Sequence, residues 1–128
     1  AARSHRKRLA GAEFYLRQHD MAAKYKPCLV FTTAADQAEA SRIGEALLQQ
    51  SLAACVQYEA VRSQYIWQGE LCSSDEIRLT IKTARHLYRA VEKTIRSLHS
   101  YDCPQIIMQP LAGGSKAYLA WAKALLRR

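Results

Sequence analysis

Cysteine and histidine are the side chains here best suited to chemistry at neutral pH, and their spacing limits what they can do. The chain carries four of each, Cys28, Cys55, Cys72 and Cys103 with His5, His19, His86 and His99. No two cysteines stand in CxxC spacing, and their density is far below that of a secreted disulfide scaffold, so a reducing, cytoplasmic setting is the simpler home. His99 and Cys103 lie four residues apart across a predicted helix end. They are close enough to share a soft metal such as Cu(I), with a third ligand supplied by another subunit. The competing role for His99 is a helix C-terminal cation on the last carbonyls. Cys55 falls opposite Lys82 in the hairpin register derived below, where an ammonium would lower the thiol's pKa and favour the metal-binding thiolate. The alternative for Cys55 is a small buried side chain beside a structural lysine. His86 begins the helix that His99 ends, so roughly 20 Å separates them and one ion cannot serve both.

Acid–base chemistry would have to recruit Tyr65, Lys82, His99 and Tyr101 in a cleft between subunits. Nothing supplies a nucleophile, a Gly-rich phosphate loop, a carboxylate pair at useful spacing or a Ser-His-Asp constellation. The reading is therefore a non-enzyme with no organic cofactor and no catalytic residues.

The 128 residues have room for one domain. No apolar run approaches the roughly 18 residues that cross a bilayer, so no membrane partner is expected. Nineteen Lys and Arg against eleven Asp and Glu give a net charge of +8, which raises nucleic acid as a partner. The distribution argues against it, because the excess beyond residue 20 is spread as single residues. Residues 1–20 carry Arg3, Arg6, Lys7, Arg8 and Arg17 against Glu13 and Asp20, with no apolar core of a secretory signal. They are expected to be a basic tail, disordered or leader-derived, and Met21 could serve as a start. Residues 21–128 form the single domain.

The elements that must position these groups follow from periodicity. Cys28–Thr33 is a β-branched apolar run of strand length, and Asp36 with Glu39 makes the cap signature of a helix. That helix carries Ala40, Ile43, Leu47 and Leu48 on one stripe and ends near Ser51. A second helix is predicted from about Arg85 to His99, with Leu87, Val91, Ile95 and Leu98 inward. Pro104–Met108 reads as a short strand, and Gly113-Gly114-Ser115 caps a last helix bearing Tyr118, Leu119, Trp121 and Leu125. The order is β-α-β-β-α-β plus a C-terminal helix. The fold class is α+β, a ferredoxin-like sandwich with two helices on one face of a four-stranded antiparallel sheet.

Between the two helices lies a long hairpin. A two-residue turn at Gln68-Gly69 pairs Trp67 with Glu70 and runs the register back to Ala54 opposite Thr83. Val56, Tyr58 and Ala60 then meet Ile81, Leu79 and Ile77 on one face, which is expected to be helix-covered core. Glu59 meets Arg78, and Arg62 meets Asp75. Beyond Arg62 the apolar residues change face, to Tyr65 and Trp67. Strands of this length reach roughly 45 Å, against a radius of gyration near 13 Å for a domain of this size. The tip must overhang and is expected to be covered by an identical chain. The alternative is a bulge that bends the hairpin back onto its own domain.

The segments Leu52-Ala-Ala-Cys55-Val, Tyr65-x-Trp67-x-Gly69-Glu70, Ile81-Lys82-Thr83, His99-x-Tyr101-x-x-Pro104 and Tyr118-Leu-x-Trp121 occur in this order over nearly all of residues 28–128. Together they resemble the CutA family, the divalent-cation tolerance proteins. The resemblance implies a ferredoxin-like subunit in a compact homotrimer whose long strands pair between neighbours. Ser63, Tyr65, Trp67, Tyr118 and Trp121 would then lie at the trimer interface, and Lys82 and Tyr101 in the cleft. It also implies an association with copper or another divalent metal ion, for which His99, Cys103 and Cys55 are the candidate ligands here, and a fold relationship to nitrogen-regulatory signalling proteins. The chain departs from the family in three places. Thr32 stands where members reported to bind copper can carry cysteine, Ser100 replaces the usual proline after His99, and Cys103 takes a position where an aliphatic residue is common.

Two other classes compete with a metal-responsive trimer. A trimeric scaffold or signalling module would bind no physiological metal and act through partner proteins. An RNA-binding module of the same topology needs stacking aromatics on its central strands, where the first strand offers only Phe31.

Overall fold

The protein is described by a computed structural model over residues 25–128. The expectations for residues 1–20 and for a domain start at 21 lie outside the described residues. Strand β1 (Pro27–Ala34) leads to helix α1 (Gln37–Gln49), the hairpin β2 (Cys55–Trp67) and β3 (Glu70–Ala84), a 3-10 turn (Arg85–Leu87) and α2 (Tyr88–Leu98). Strand β4 (Ile106–Pro110) and helix α3 (Lys116–Leu125) complete it. The strands make one antiparallel sheet in the order β2-β3-β1-β4, as a ferredoxin-like sandwich requires.

Each element forms for a local reason. Asp36 caps α1 by accepting from the Glu39 amide at 2.8 Å, and Ser115 caps α3 by accepting from Tyr118. The inward stripe of α1 is Ala40, Ile43 and Leu47, while α2 and the turn before it contribute Val91, Ile95 and Leu87. These residues close over Val30, Leu79 and Ile81 of the central strands to form the core. Leu48 and Leu98, expected on the inward stripes, lie at their margins and are exposed. Inside the core Thr32 is fully buried, and its hydroxyl has no hydrogen-bond partner among the described residues.

The hairpin keeps the expected register along its whole length, from Cys55 opposite Lys82 to Trp67 opposite Glu70, with no bulge. Its turn puts both Gln68 and Gly69 at positive φ, the twist that suits a two-residue hairpin loop. β1 pairs with β3 only from Ile77 to Ala84. From Glu70 to Glu76, β3 therefore has β2 as its sole strand neighbour among the described residues, and a two-stranded ribbon runs roughly 20 Å past the sheet. Exposed apolar residues line both faces of its tip, Tyr65 and Trp67 on one and the Ile66–Leu71 cross-strand pair on the other.

Three local expectations are corrected. The base of β2 is not all core. Val56 packs against the core and Tyr58 folds over Gly44, where a Cβ would lie 2.0 Å from its hydroxyl, but Ala60 is exposed. The reason is that β2 is an edge strand and α1 reaches only its first residues. Strand β4 begins at Ile106, two positions after Pro104, because Tyr101–Gln105 is spent carrying the chain from α2 to the far edge. Residues 85–87 form a 3-10 turn ahead of α2, and His99 is extended, at φ −83° and ψ 139°.

Thr32→Val removes an orphaned buried hydroxyl while conserving shape, so it is expected to stabilise the protein by about 1 kcal/mol. The check is the urea midpoint at unchanged m-value.

Candidate functional site

Where the ribbon leaves the sheet, its inner face looks onto the loop between α2 and β4. The two enclose a cavity of about 620 Å³ lined by Thr33, Ser63, Gln64, Tyr65, Trp67, Cys72, Glu76, Tyr101, Asp102, Cys103 and Gln105. Strict alternation along β2 and β3 aims Ser63, Tyr65, Trp67, Cys72 and Glu76 at this side. The hairpin thus neither folds back nor stands clear of its own domain. Tyr65 and Trp67 remain 43% and 50% exposed.

The loop is held by a buried polar cluster around His99. The Thr33 carbonyl can only accept, so the His99 ring donates from Nε2 at 2.7 Å, while Nδ1 accepts the Tyr101 amide at 3.1 Å. Nδ1 also lies 3.3 Å from Glu39 Oε1. The Glu39 carboxylate, expected to close a capping box on its own helix, instead takes the amide and hydroxyl of Ser100 at 2.9 to 3.0 Å. Serine in place of proline is what supplies these two donors. Next along the loop, Tyr101 lies against the His99 ring, 4.7 Å between centroids, and donates its hydroxyl to Glu76 Oε2 at 2.8 Å. Burial, that hydrogen bond and the nearby carboxylates raise the Tyr101 phenol well above its ordinary pKa, so it stays a neutral donor.

Within one subunit the expected site residues divide into two groups. Ser63, Tyr65, Trp67, Tyr101 and Cys103 meet at the cavity. His99 stands behind it, its side chain inaccessible and both ring nitrogens engaged, so ligation by either nitrogen would require breaking one of these bonds. Cys55, Lys82, Tyr118 and Trp121 lie at the other end of the sheet. There the Lys82 ammonium donates to the Tyr118 hydroxyl at 3.0 Å and sits 5.0 Å from that ring, which packs on Trp121 at 5.5 Å. Lys82 is six positions along β3 from Glu76, roughly 20 Å, so Lys82 and Tyr101 share no cleft inside one subunit. Cys55 is farther still from Cys103 and cannot join it on one ion within a chain.

Sequence reasoning missed Glu39, Cys72, Glu76 and Asp102. Two of these carried a signal. The hairpin register puts Cys72 opposite Tyr65 and Glu76 on the same face, so both could have been read as neighbours of the aromatic tip. Glu39 and Asp102 could not, since their roles depend on how the α2–β4 loop folds.

All four cysteines are free. Cys28 is fully buried, and that burial pushes its thiol up to about 11 against the opposing charge of Arg85. Cys103 is exposed at the cavity. Among the described residues no three or more His, Cys, Asp or Glu side chains are grouped to hold a metal ion. Cys72, Cys103, Glu76 and Asp102 all line the cavity, but they are spread along its wall and do not form a ready-made ligand set within one subunit.

Comparison with known proteins places this geometry. Residues 28–124 match the family described as CutA1 divalent ion tolerance protein. The divalent-cation tolerance protein CutA of Pectobacterium atrosepticum is 36% identical over 100 residues, covering 77% of this chain and 91% of the relative. The crystal structure of a CutA1 described as a stable protein, from the psychrotrophic bacterium Shewanella sp. SIB1, superposes with a TM-score of 0.77 at 39% identity, over 80% of this chain and 96% of that one. The structure of a protein described as the periplasmic divalent cation tolerance protein CutA from Archaeoglobus fulgidus gives 0.78 at 30% identity, covering 79% and 99%.

Two outcomes follow from the site. His99→Ala leaves the Thr33 carbonyl and the Tyr101 amide without partners and is expected to cost about 2 kcal/mol in denaturant unfolding. In alkylation at pH 8 followed by mass spectrometry, Cys103 is expected to react in the native protein and Cys28 only after denaturation.

Proposed function

Because the chain belongs to the CutA1 divalent ion tolerance family, we propose that it works as a non-enzymatic homotrimer that takes up copper or a similar soft metal ion at the hairpin-root cavity and contributes to the metal-ion response. The observation that carries this reading is that cavity: Cys72 and Cys103 open onto it together with Glu76 and Asp102, and among the described residues no Lys, Arg or His lines it. Thiol ligands favour Cu(I) over harder ions. The further donor that one subunit lacks would come from a neighbour. His99 then acts as a positioning residue that fixes the loop bearing Cys103, and Cys55 stays at the Lys82 end of the sheet.

Assembly is supported by the ribbon. Its tip exposes Tyr65, Trp67, Ile66 and Leu71, the last 72% exposed, and among the described strands β2 and β4 each present an unpaired edge. Such a ribbon is an aggregation liability unless another chain pairs with it. The exposed Ile107 and Met108 of β4 add a further apolar surface that an identical chain could cover. The free thiols fit a cytoplasmic setting. No helix among the described residues is long and apolar enough to cross a membrane. Phe31 is the sole aromatic on the two central strands and lies beneath the Arg78 guanidinium at 5.8 Å, which leaves a single-stranded RNA no stacking platform.

Light-scattering mass of the purified chain tests assembly, and titration with copper under reducing conditions tests the metal. A trimer is expected, with Trp67→Asp shifting it towards monomer. Copper is expected to bind the parent, with Cys72→Ala/Cys103→Ala weakening it at least tenfold. A monomer at micromolar concentration would overturn the assembly, and equal copper binding by the double variant would overturn these ligands. A trimer that takes no copper would favour a scaffold role.

A further inference from the structure

The cavity carries more than its thiols. Its volume of about 620 Å³ lies in the range of small-molecule sites, far larger than one metal ion fills. Three aromatic side chains, Tyr65, Trp67 and Tyr101, stand on its wall, and Glu76 and Asp102 are its charged groups. Among the described lining residues every charged group is thus anionic, in a chain of net charge +8. No Lys or Arg pairs with either carboxylate among the described residues.

Glu76 is only 8% exposed. Its Oε2 accepts the Tyr101 hydroxyl, while Oε1 has no hydrogen-bond partner among the described residues and is not sealed in the interior. A carboxylate so far removed from water, with one oxygen unused and opening on a cavity, is completed by an N–H donor carrying positive charge. Aromatic faces attract cations and also pack against methylenes.

We propose that this cavity binds a short aliphatic diamine in its dicationic form, with one ammonium on Glu76, the other on Asp102, and the methylene chain between the rings of Tyr65, Trp67 and Tyr101. The assignment rests on the reading of the cavity as a cation site, but uses the carboxylates and rings where the metal reading uses the thiols. The two are therefore separable by mutation.

The test is isothermal titration calorimetry of the full chain with 1,4-diaminobutane, with 1,4-butanediol as the uncharged counterpart and copper titrated in parallel. Saturable diamine binding is expected, weakened by added salt, at least tenfold weaker in Glu76→Gln and in Asp102→Asn, and unchanged in Cys72→Ala/Cys103→Ala. The diol should give no saturable heat. Asp102 is exposed, so Asp102→Asn decides the matter even if Glu76→Gln fails to fold. Absence of saturable diamine binding, equal binding by Asp102→Asn, or equal binding of the diol would overturn the proposal. Loss of copper binding with diamine binding intact in the cysteine variant supports both readings. Failure of copper alone overturns only the metal reading.

Discussion

An antiparallel ladder that outruns its sheet is the constraint on which the rest of this structure depends. β2 and β3 pair without interruption from Cys55–Lys82 to Trp67–Glu70, whereas β1 supports β3 only as far as Ile77. Past that point only the backbone groups that face the partner strand are paired within the sheet, those of alternate residues pointing outward, and side chains on the ribbon have no layer of helices to enter. The excess length has two consequences. It leaves apolar side chains on both faces of the tip, and it raises a wall beside the α2–β4 loop, so that a cavity forms where the sheet proper ends.

That cavity needs a second fixed wall, which the loop alone would not provide. Residues Tyr101–Gln105 have no regular hydrogen-bonding pattern of their own. Their position is set by His99 bridging to the Thr33 carbonyl, by Ser100 on the Glu39 carboxylate, and by Tyr101 reaching Glu76 on the ribbon. The partners come from α1, β1 and β3, so the loop is tied to three elements at once. All three are at least partly removed from water, where a hydrogen bond is stronger than in solvent. The loop is thereby anchored to the layers on either side of it, a precondition for a site that must present groups at set positions.

Much of this was legible in the sequence because period and turn chemistry act locally. The Gln68-Gly69 turn fixed the register of the hairpin, and with it the cross-strand neighbours of Val56, Glu59 and Tyr65, since a slip of one residue would turn every core side chain outward. The helix stripes were readable for the same reason, save at Leu48 and Leu98, where the partner layer stops. His99 was legible as a residue of consequence but not in its role. Its neighbours in sequence suggested a metal ligand or a helix-end cation, while its hydrogen-bond partners are Thr33 and Tyr101 around a buried Glu39.

The amino-acid sequence by itself determined the element order, the hairpin register, the overhang and the family, because each follows from short-range periodicity, a turn, or motifs spaced along the chain. Only the tertiary structure decided which reactive side chains share a space. It brought Cys72 and Glu76 of the ribbon to Tyr101, Asp102 and Cys103 of a loop about 25 to 30 positions later, and set Cys55 and Lys82 at the opposite end of the sheet. The physical reason is that strands lie side by side at about 5 Å while extending about 3.3 Å per residue. Groups distant in the chain can thus be neighbours across the sheet, whereas groups on one strand soon lie out of reach of each other.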